Sequence, residues 1–140
     1  MEVVSLRYVW VWTQRVATEA AMIVEHSRVG TDLDQLDPKD WLGGHIAVRD
    51  VARAFRAAST FQFAEPGPAF EAFFLSAKDT FHSVPTLDLL TRTFASCPTI
   101  RDEAYFKSNP KASLFDIRKA KRLLQWEPLH QWKDFESWEL

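Results

Sequence analysis

Sulfur chemistry is nearly missing from this chain, which has one cysteine, Cys97, in 140 residues. No internal disulfide can form, and a zinc site built on paired cysteines is excluded. A lone thiol fits a reducing compartment, so a cytoplasmic location is expected. Glycine is scarce as well: Gly30, Gly43, Gly44 and Gly67 are scattered and make no Gly-rich cradle for phosphate. Charge of one sign is lacking, since 17 basic and 19 acidic side chains leave a net −2. Such a chain has no basic field to gather nucleic acid or an anionic bilayer, so neither is expected as a partner. No apolar run reaches the 18 or so residues that span a membrane. Met1-Glu2-Val3-Val4 puts no basic region ahead of an apolar segment and does not read as a signal peptide. There is no internal repeat and no low-complexity stretch.

Aromatic residues are plentiful, with 11 Phe and 6 Trp. They can fill a core or be displayed to a partner. The length suits one domain and is short for two. Residues 3–12 are β-branched and aromatic with no Gly or Pro, which predicts a strand buried on both faces of a parallel sheet. Such a strand needs neighbours to cover it. Residues 14–26 read as a helix with Val16, Ala20 and Ile23 on one face, and 27–44 as a loop. A short strand at 45–48 leads into a helix opened by Asp50, with Val51, Ala54, Phe55 and Ala58 at helical spacing. After a Pro- and Gly-bearing connection at 62–68 comes a strand over 70–77. A helix from Pro85 follows, lined by Leu87, Leu90 and Phe94. Residues 97–112 read as irregular. Ser113 and Asp116 resemble a capping box for a helix that turns Ile117, Ala120, Leu123 and Leu124 inward. A last amphipathic stretch, 131–138, holds Trp132, Phe135 and Trp138. The alternation of strands and helices argues α/β.

Three segments, in order, resemble the C-terminal half of the NAD-dependent epimerase/dehydratases, the extended short-chain dehydrogenase/reductase family. Leu6-Arg7-Tyr8-Val9-Trp10-Val11-Trp12 is similar to the family strand that begins Leu-Arg and ends Val-Tyr-Gly. His45-Ile46-Ala47-Val48-Arg49-Asp50-Val51-Ala52-Arg53-Ala54 is similar to Tyr-Ile-His-Val-x-Asp-Val-Ala-x-Ala. Ser113 to Pro128, with Asp116, Lys119-Ala120 and Trp126-Glu127-Pro128, resembles Asp-x-x-Lys-Ala-x-x-x-Leu-Gly-Trp-x-Pro. The resemblance implies an α/β fold, the C-terminal substrate-binding portion of a Rossmann-type enzyme. Residues 1–140 would form a single lobe without the dinucleotide-binding half. It implies NAD or NADP as the cofactor of the parent enzyme and a small-molecule, sugar-like substrate. It places Val9, Trp10 and Val11 beside the cofactor, and Trp10, Trp12 and Arg101 on the substrate side.

The family's cofactor and catalytic motifs lie elsewhere. No Gly-x-x-Gly-x-x-Gly occurs, and no Tyr-x-x-x-Lys: Trp12 follows Tyr8 at that spacing, and Asn109 follows Tyr105. Without that acid/base pair the chain itself is expected to be inactive by the family's route. Within the half present, Thr13 stands where the family has Gly after its Val-Tyr pair. Gly43 stands where nucleotide-sugar enzymes carry an Arg for diphosphate, which weighs against a nucleotide-diphosphate sugar. Gln125 replaces the Gly before Trp126, so the left-handed cap that Gly makes easy is expected to be strained or different.

Each candidate also has a structural reading. Trp10 and Trp12, two apart on a strand, share one face and suit either a substrate wall or a core. Asp79 and His82 suggest acid/base work, but no motif supplies a nucleophile, and a turn role is expected. His26, His45, His82 and His130 have no helical metal spacing. Cys97 has no base beside it. Arg118, Lys119, Lys121 and Arg122 read as a solvated helix face. Two functional classes follow: a substrate-binding fragment of an oxidoreductase, or a stand-alone binding module that catalyses nothing. In either case the apolar first strand predicts self-association or a missing Rossmann half as partner.

Overall fold

A computed structural model describes residues 1–18, 41–64, 67, 69–82, 84–94, 96, 98–132 and 134. The expected first strand is present in two pieces, β1 (Glu2–Tyr8) and β2 (Trp10–Trp12), divided at Val9. Residues 14–18 are helical. Then come β3 (His45–Ala47), α1 (Val48–Ser59), β4 (Ala69–Leu75), α2 (Thr86–Thr93), α3 (Glu103–Ser108) and α4 (Arg118–Leu123). Residues 27–40 of the expected 27–44 loop, the helix beyond residue 18, His26, Cys97, Phe135 and Trp138 lie outside the described residues.

Both strand pairs among the described residues are parallel, as the sequence suggested, with isolated antiparallel bridges at Gly44–Thr80 and Asp79–Ala112. β1 runs beside β4 from Glu2↔Ala69 to Tyr8↔Leu75, and β2 beside β3 from Trp10↔His45 to Trp12↔Ala47. The two ladders meet at a fork. Val9 N–H still donates to Leu75 O at 3.4 Å, while Ala77 N–H donates to His45 O at 2.7 Å. β3 therefore enters the gap that opens where the first strand and β4 part.

Val9 also changes the phase of the side chains. Along β1 the even residues Val4 and Leu6 pack inward with Phe73 and Leu75; after Val9 the odd residues Val9 and Val11 take that side. One residue out of step reverses the face that alternation addresses, which is how a bulge re-aims a strand. Val51 and Ala54 of α1 close this core with Ala120, Leu124 and Trp126. Burial of a ring such as Phe73, wholly enclosed here, is worth about 1.5–3 kcal/mol. The even residues Trp10 and Trp12 are sent to the opposite face. There Trp12 joins Ala17, Ala47 and Phe81 in a second core.

The expectation that the first strand is buried on both faces is corrected. Val3 to Leu6 are only half-buried, and Arg7 and Tyr8 are exposed. The helices α1 and α4 cover one side of the β1–β4 ladder. On the other side Phe70 and Phe74 are 60 and 49% exposed. Helix faces differ in detail. α1 starts at Val48, and Phe55 points to solvent. α2 buries Thr86, Leu89 and Leu90, whereas Phe94, at an extended C-cap (φ −112°, ψ 128°), leaves the helical phase and is exposed. Thr86 anchors α2 by donating its hydroxyl to Ala112 O at 2.7 Å.

The segment expected to be irregular contains α3, started by Asp102, whose carboxylate accepts from Tyr105 N–H at 3.0 Å. The capping box does not form. Asp116 accepts from Arg118 N–H at 2.9 Å, while Ser113 bonds Ser76 at 2.9 Å. The helix begins two residues after Asp116, so Ser113 is too far upstream to cap it. Its core side is as expected: Ala120 and Leu124 are buried, and the four basic residues are exposed. Gln125 has φ 50°, so the left-handed conformation is kept at that position although Gln replaces Gly.

Candidate functional site

Trp10 and Trp12 stand at the carboxyl end of their strand, beside β3, on the face turned away from α1. Trp12 is fully buried and Trp10 is 40% exposed. Their rings meet edge to face, with centroids 5.4 Å apart. Around Trp12 lie Phe81 at 4.8 Å, His45 at 5.1 Å and Trp132 at 5.2 Å. Such tilted and T-shaped contacts suit the ring quadrupoles. Trp10 also meets Phe81 at 6.3 Å and so forms the exposed lip of the cluster.

A tight turn fixes this arrangement. Leu42 (φ 50°) and Gly43 (φ 75°) are both left-handed. A Cβ on Gly43 would lie 2.4 Å from His82 Cδ2 and 2.9 Å from Thr80 Cβ. The His82 and Thr80 side chains thus leave no room for a Cβ at position 43. Gly43 O accepts from Phe81 N–H at 3.3 Å, and Gly44 bridges Thr80. The segment 79–82 is thereby held against β3.

Polar groups are gathered beneath the rings. His45 Nε2 lies 3.7 Å from Asp79 Oδ1. The Asp79 carboxylate accepts from Trp132 N–H at 3.0 Å and so holds that ring over the cluster. Burial lowers His45 to about 4, with a hydrogen bond to the Gly43 backbone acting the other way. Burial likewise lowers His82 to about 4 and raises Asp79, the latter opposed by the Trp132 N–H. Both imidazoles are therefore neutral at neutral pH. Thr80 Oγ1 is buried and has no hydrogen-bond partner among the described residues. No group of three metal-ligating side chains converges among the described residues.

A second constellation joins the first turn of α1 to the segment that follows α4. Asp50 is wholly buried in the first turn of α1. Its carboxylate accepts from Leu129 N–H (3.1 and 3.2 Å), His130 N–H (3.0 Å) and Arg53 Nη1 (3.0 Å), and lies 3.0 Å from His130 Nδ1. Trp126 Nε1 donates to Asp50 O at 3.1 Å. The Asp-Val-Ala and Trp-x-Pro segments thus clasp one another. Residues 126–132 form a strap, latched at one end by Asp50 and at the other by Asp79.

The expected site residues do not form one wall. Val9 is buried in the α1-side core and Val11 packs against it, while Trp10 and Trp12 face the other way. Arg101 is exposed in the bend before α3, and no hydrogen bond or ion pair joins it to the aromatic cluster among the described residues. His45, Phe81 and Trp132 complete the cluster without having been singled out as site residues. Asp79 and His82 were visible only as a close pair in sequence. Compared with models of known families, with curated proteins and with solved structures, the chain matches none.

Proposed function

We propose that residues 1–140 form the substrate-binding portion of an NAD(P)-dependent epimerase/dehydratase-like oxidoreductase. The catalytic Tyr/Lys pair and the cofactor's glycine motif would be supplied from outside these residues. The observation that carries this reading is the fork of the parallel sheet. The first strand and β4 part around β3, and the half-exposed Trp10 stands at the carboxyl ends of the strands bordering that opening. Open α/β sheets bind ligands in such crevices. Trp10 would offer a flat apolar surface to a sugar-like substrate, with Trp12 and Phe81 behind it as a rigid backing. Val9 and Val11 would support the strand from the α1 side and not touch the cofactor directly.

The exposed Phe70 and Phe74 on the other side of the β1–β4 ladder favour a covering partner, either a Rossmann half or a second copy. Purification from the native source with intact-mass measurement tests this. A species near twice the mass of this chain, or a tightly held second polypeptide bearing a Gly-rich nucleotide motif, is expected. A monodisperse 140-residue monomer that binds no sugar would refute it. The same monomer binding a sugar through Trp10 would instead establish the stand-alone binding module, which the missing Tyr-x-x-x-Lys also fits.

A further inference from the structure

Parallel pairing uses only half of the backbone groups of β1. Met1 O accepts from Ala69 N–H at 3.3 Å and Val9 N–H donates to Leu75 O at 3.4 Å, so the ladder engages the odd residues. The N–H and C=O groups of Glu2, Val4, Leu6 and Tyr8 therefore point to the opposite edge. β4 is the one strand paired with β1 among the described residues. Natural edge strands are guarded by Lys, Pro or a bulge. β1 reads Glu-Val-Val-Ser-Leu-Arg-Tyr, with no Lys and no Pro, and the irregularity at Val9 falls after its last residue. Its two charges, Glu2 and Arg7, are opposite in sign, exposed and near the two ends, while Val4 and Leu6 between them are half-buried.

We propose that this edge pairs with the same edge of a second copy, β1 against β1, antiparallel about a two-fold axis at Ser5. The two-fold sets Glu2 opposite Tyr8 of the partner subunit, Val4 opposite Leu6 of the partner subunit, and Ser5 opposite its own counterpart. Even residues meet even residues, so each exchanges the N–H and C=O bonds that β4 leaves unused. Val4 and Leu6 already pack against the α1-side core and carry it across the junction. No like charges stand opposite one another: the Glu2 carboxylate meets a phenol, and Arg7 meets Val3 of the partner subunit. The reciprocal match of Val4 with Leu6 and of Glu2 with Tyr8 selects a second copy over an unrelated strand. The result is a sheet continuous through both copies, in the order β4–β1–β1–β4, with the helices of both on one side. Trp10 lies beyond the paired residues and its side of the sheet stays open. The inference rests on the covering partner proposed above and not on the sugar site.

Disulfide trapping in the full chain, on a Cys97→Ser background, tests the register. The two thiols introduced by Ser5→Cys have Cα atoms about 4.5 Å apart, within disulfide reach, and oxidation is expected to cross-link the dimer. The thiols of Val3→Cys lie roughly 13 Å apart along the strands and are expected not to cross-link. Sedimentation of the unaltered chain is expected to show a dimer. That dimer persists in Phe70→Lys with Phe74→Glu, which removes only association through the sheet face. Tyr8→Glu sets two carboxylates opposite each other, twice per dimer, and is expected to raise the dissociation constant about tenfold; adding Glu2→Lys restores it. Leu6→Pro removes an edge N–H and none of the bonds to β4, and is expected to weaken the dimer by about tenfold or more. A monomer in sedimentation, equal cross-linking of Val3→Cys and Ser5→Cys, or loss of the dimer in the Phe70 and Phe74 double variant would overturn the proposal. A different polypeptide found on this edge in the native complex would do the same. If Leu6→Pro does not fold, the exposed Glu2 and Tyr8 exchanges and the cross-linking pair decide. A cross-linked dimer that binds no sugar would refute the sugar site and leave the dimer standing.

Discussion

Replacing Asp50 by Asn keeps the shape of the clasp and removes its charge. The carboxylate serves two backbone N–H groups, the His130 ring and Arg53 from a site with no solvent exposure. An amide has a single acceptor oxygen, and its NH2 would point at donors whichever way it is turned. At least two charge-assisted bonds are lost. Such bonds are each worth about 1.5–3 kcal/mol, and buried donors left without acceptors add to the cost. Relaxation of the strap recovers part, so about 3 kcal/mol of destabilisation is expected. For a chain of this length that corresponds to roughly a 10 °C fall in Tm. Urea unfolding at fixed m-value measures it, with Arg53→Met as the control. The Arg53 side chain is 41% exposed, and losing a half-exposed partner should cost under about 1 kcal/mol. A loss below about 1 kcal/mol in Asp50→Asn would refute the view that this carboxylate fastens the strap to α1.

Gly43→Ala forces a Cβ into His82 and Thr80 at a left-handed position; about 2–4 kcal/mol of stability should be lost, and thermal melting reads it. Gln125→Gly relieves a left-handed side chain and should stabilise by up to about 1 kcal/mol, partly offset by the lost Gln125–Arg122 bond, by the same assay. Stability should be full above pH 6.5 and fall as pH drops toward 4, because the unfolded chain takes up protons that buried His45 refuses; its shift represents on the order of 3 kcal/mol, visible as a falling urea midpoint. Asp79 acts with the opposite sign: its raised value makes ionisation a cost that acid relieves, so Asp79→Asn should steepen that fall unless the Trp132 latch fails first. Phe70→Lys with Phe74→Glu should reduce self-association in sedimentation without changing the melting temperature by more than a few degrees, since both residues are exposed, Phe70 at 60% and Phe74 at 49%.

Local signals were enough for much of the fold. The β-branched run at 3–12, the strand into α1 and the amphipathic α4 were all legible, whereas the left-handed conformation kept at Gln125 was not. The phase change at Val9 was not legible. Residues 8–12 alternate no more clearly in one register than in the other, and only the rival partners β4 and β3 decide which face wins. For the same reason Val9, Trp10 and Val11 read as a contiguous trio while the sheet divides them. Asp79, His82 and Trp132 converge on His45 through turns whose geometry depends on Gly43 meeting a distant segment. Asp50 was visible as a motif residue. Its task, accepting bonds from Leu129 and His130, spans some 80 positions and leaves no periodic trace.

The dislocation at Val9 makes a single strand the party wall between two interiors. Changes in side-chain volume on either side are insulated from one another by the backbone that separates them. Changes in chain length are not. Dropping Val9 would restore plain alternation, set the Tyr8 ring in its place on the α1 side and shift β2 by one step along β3. This stretch should therefore accept many substitutions and almost no insertions or deletions, a pattern of tolerance opposite to that of a surface loop.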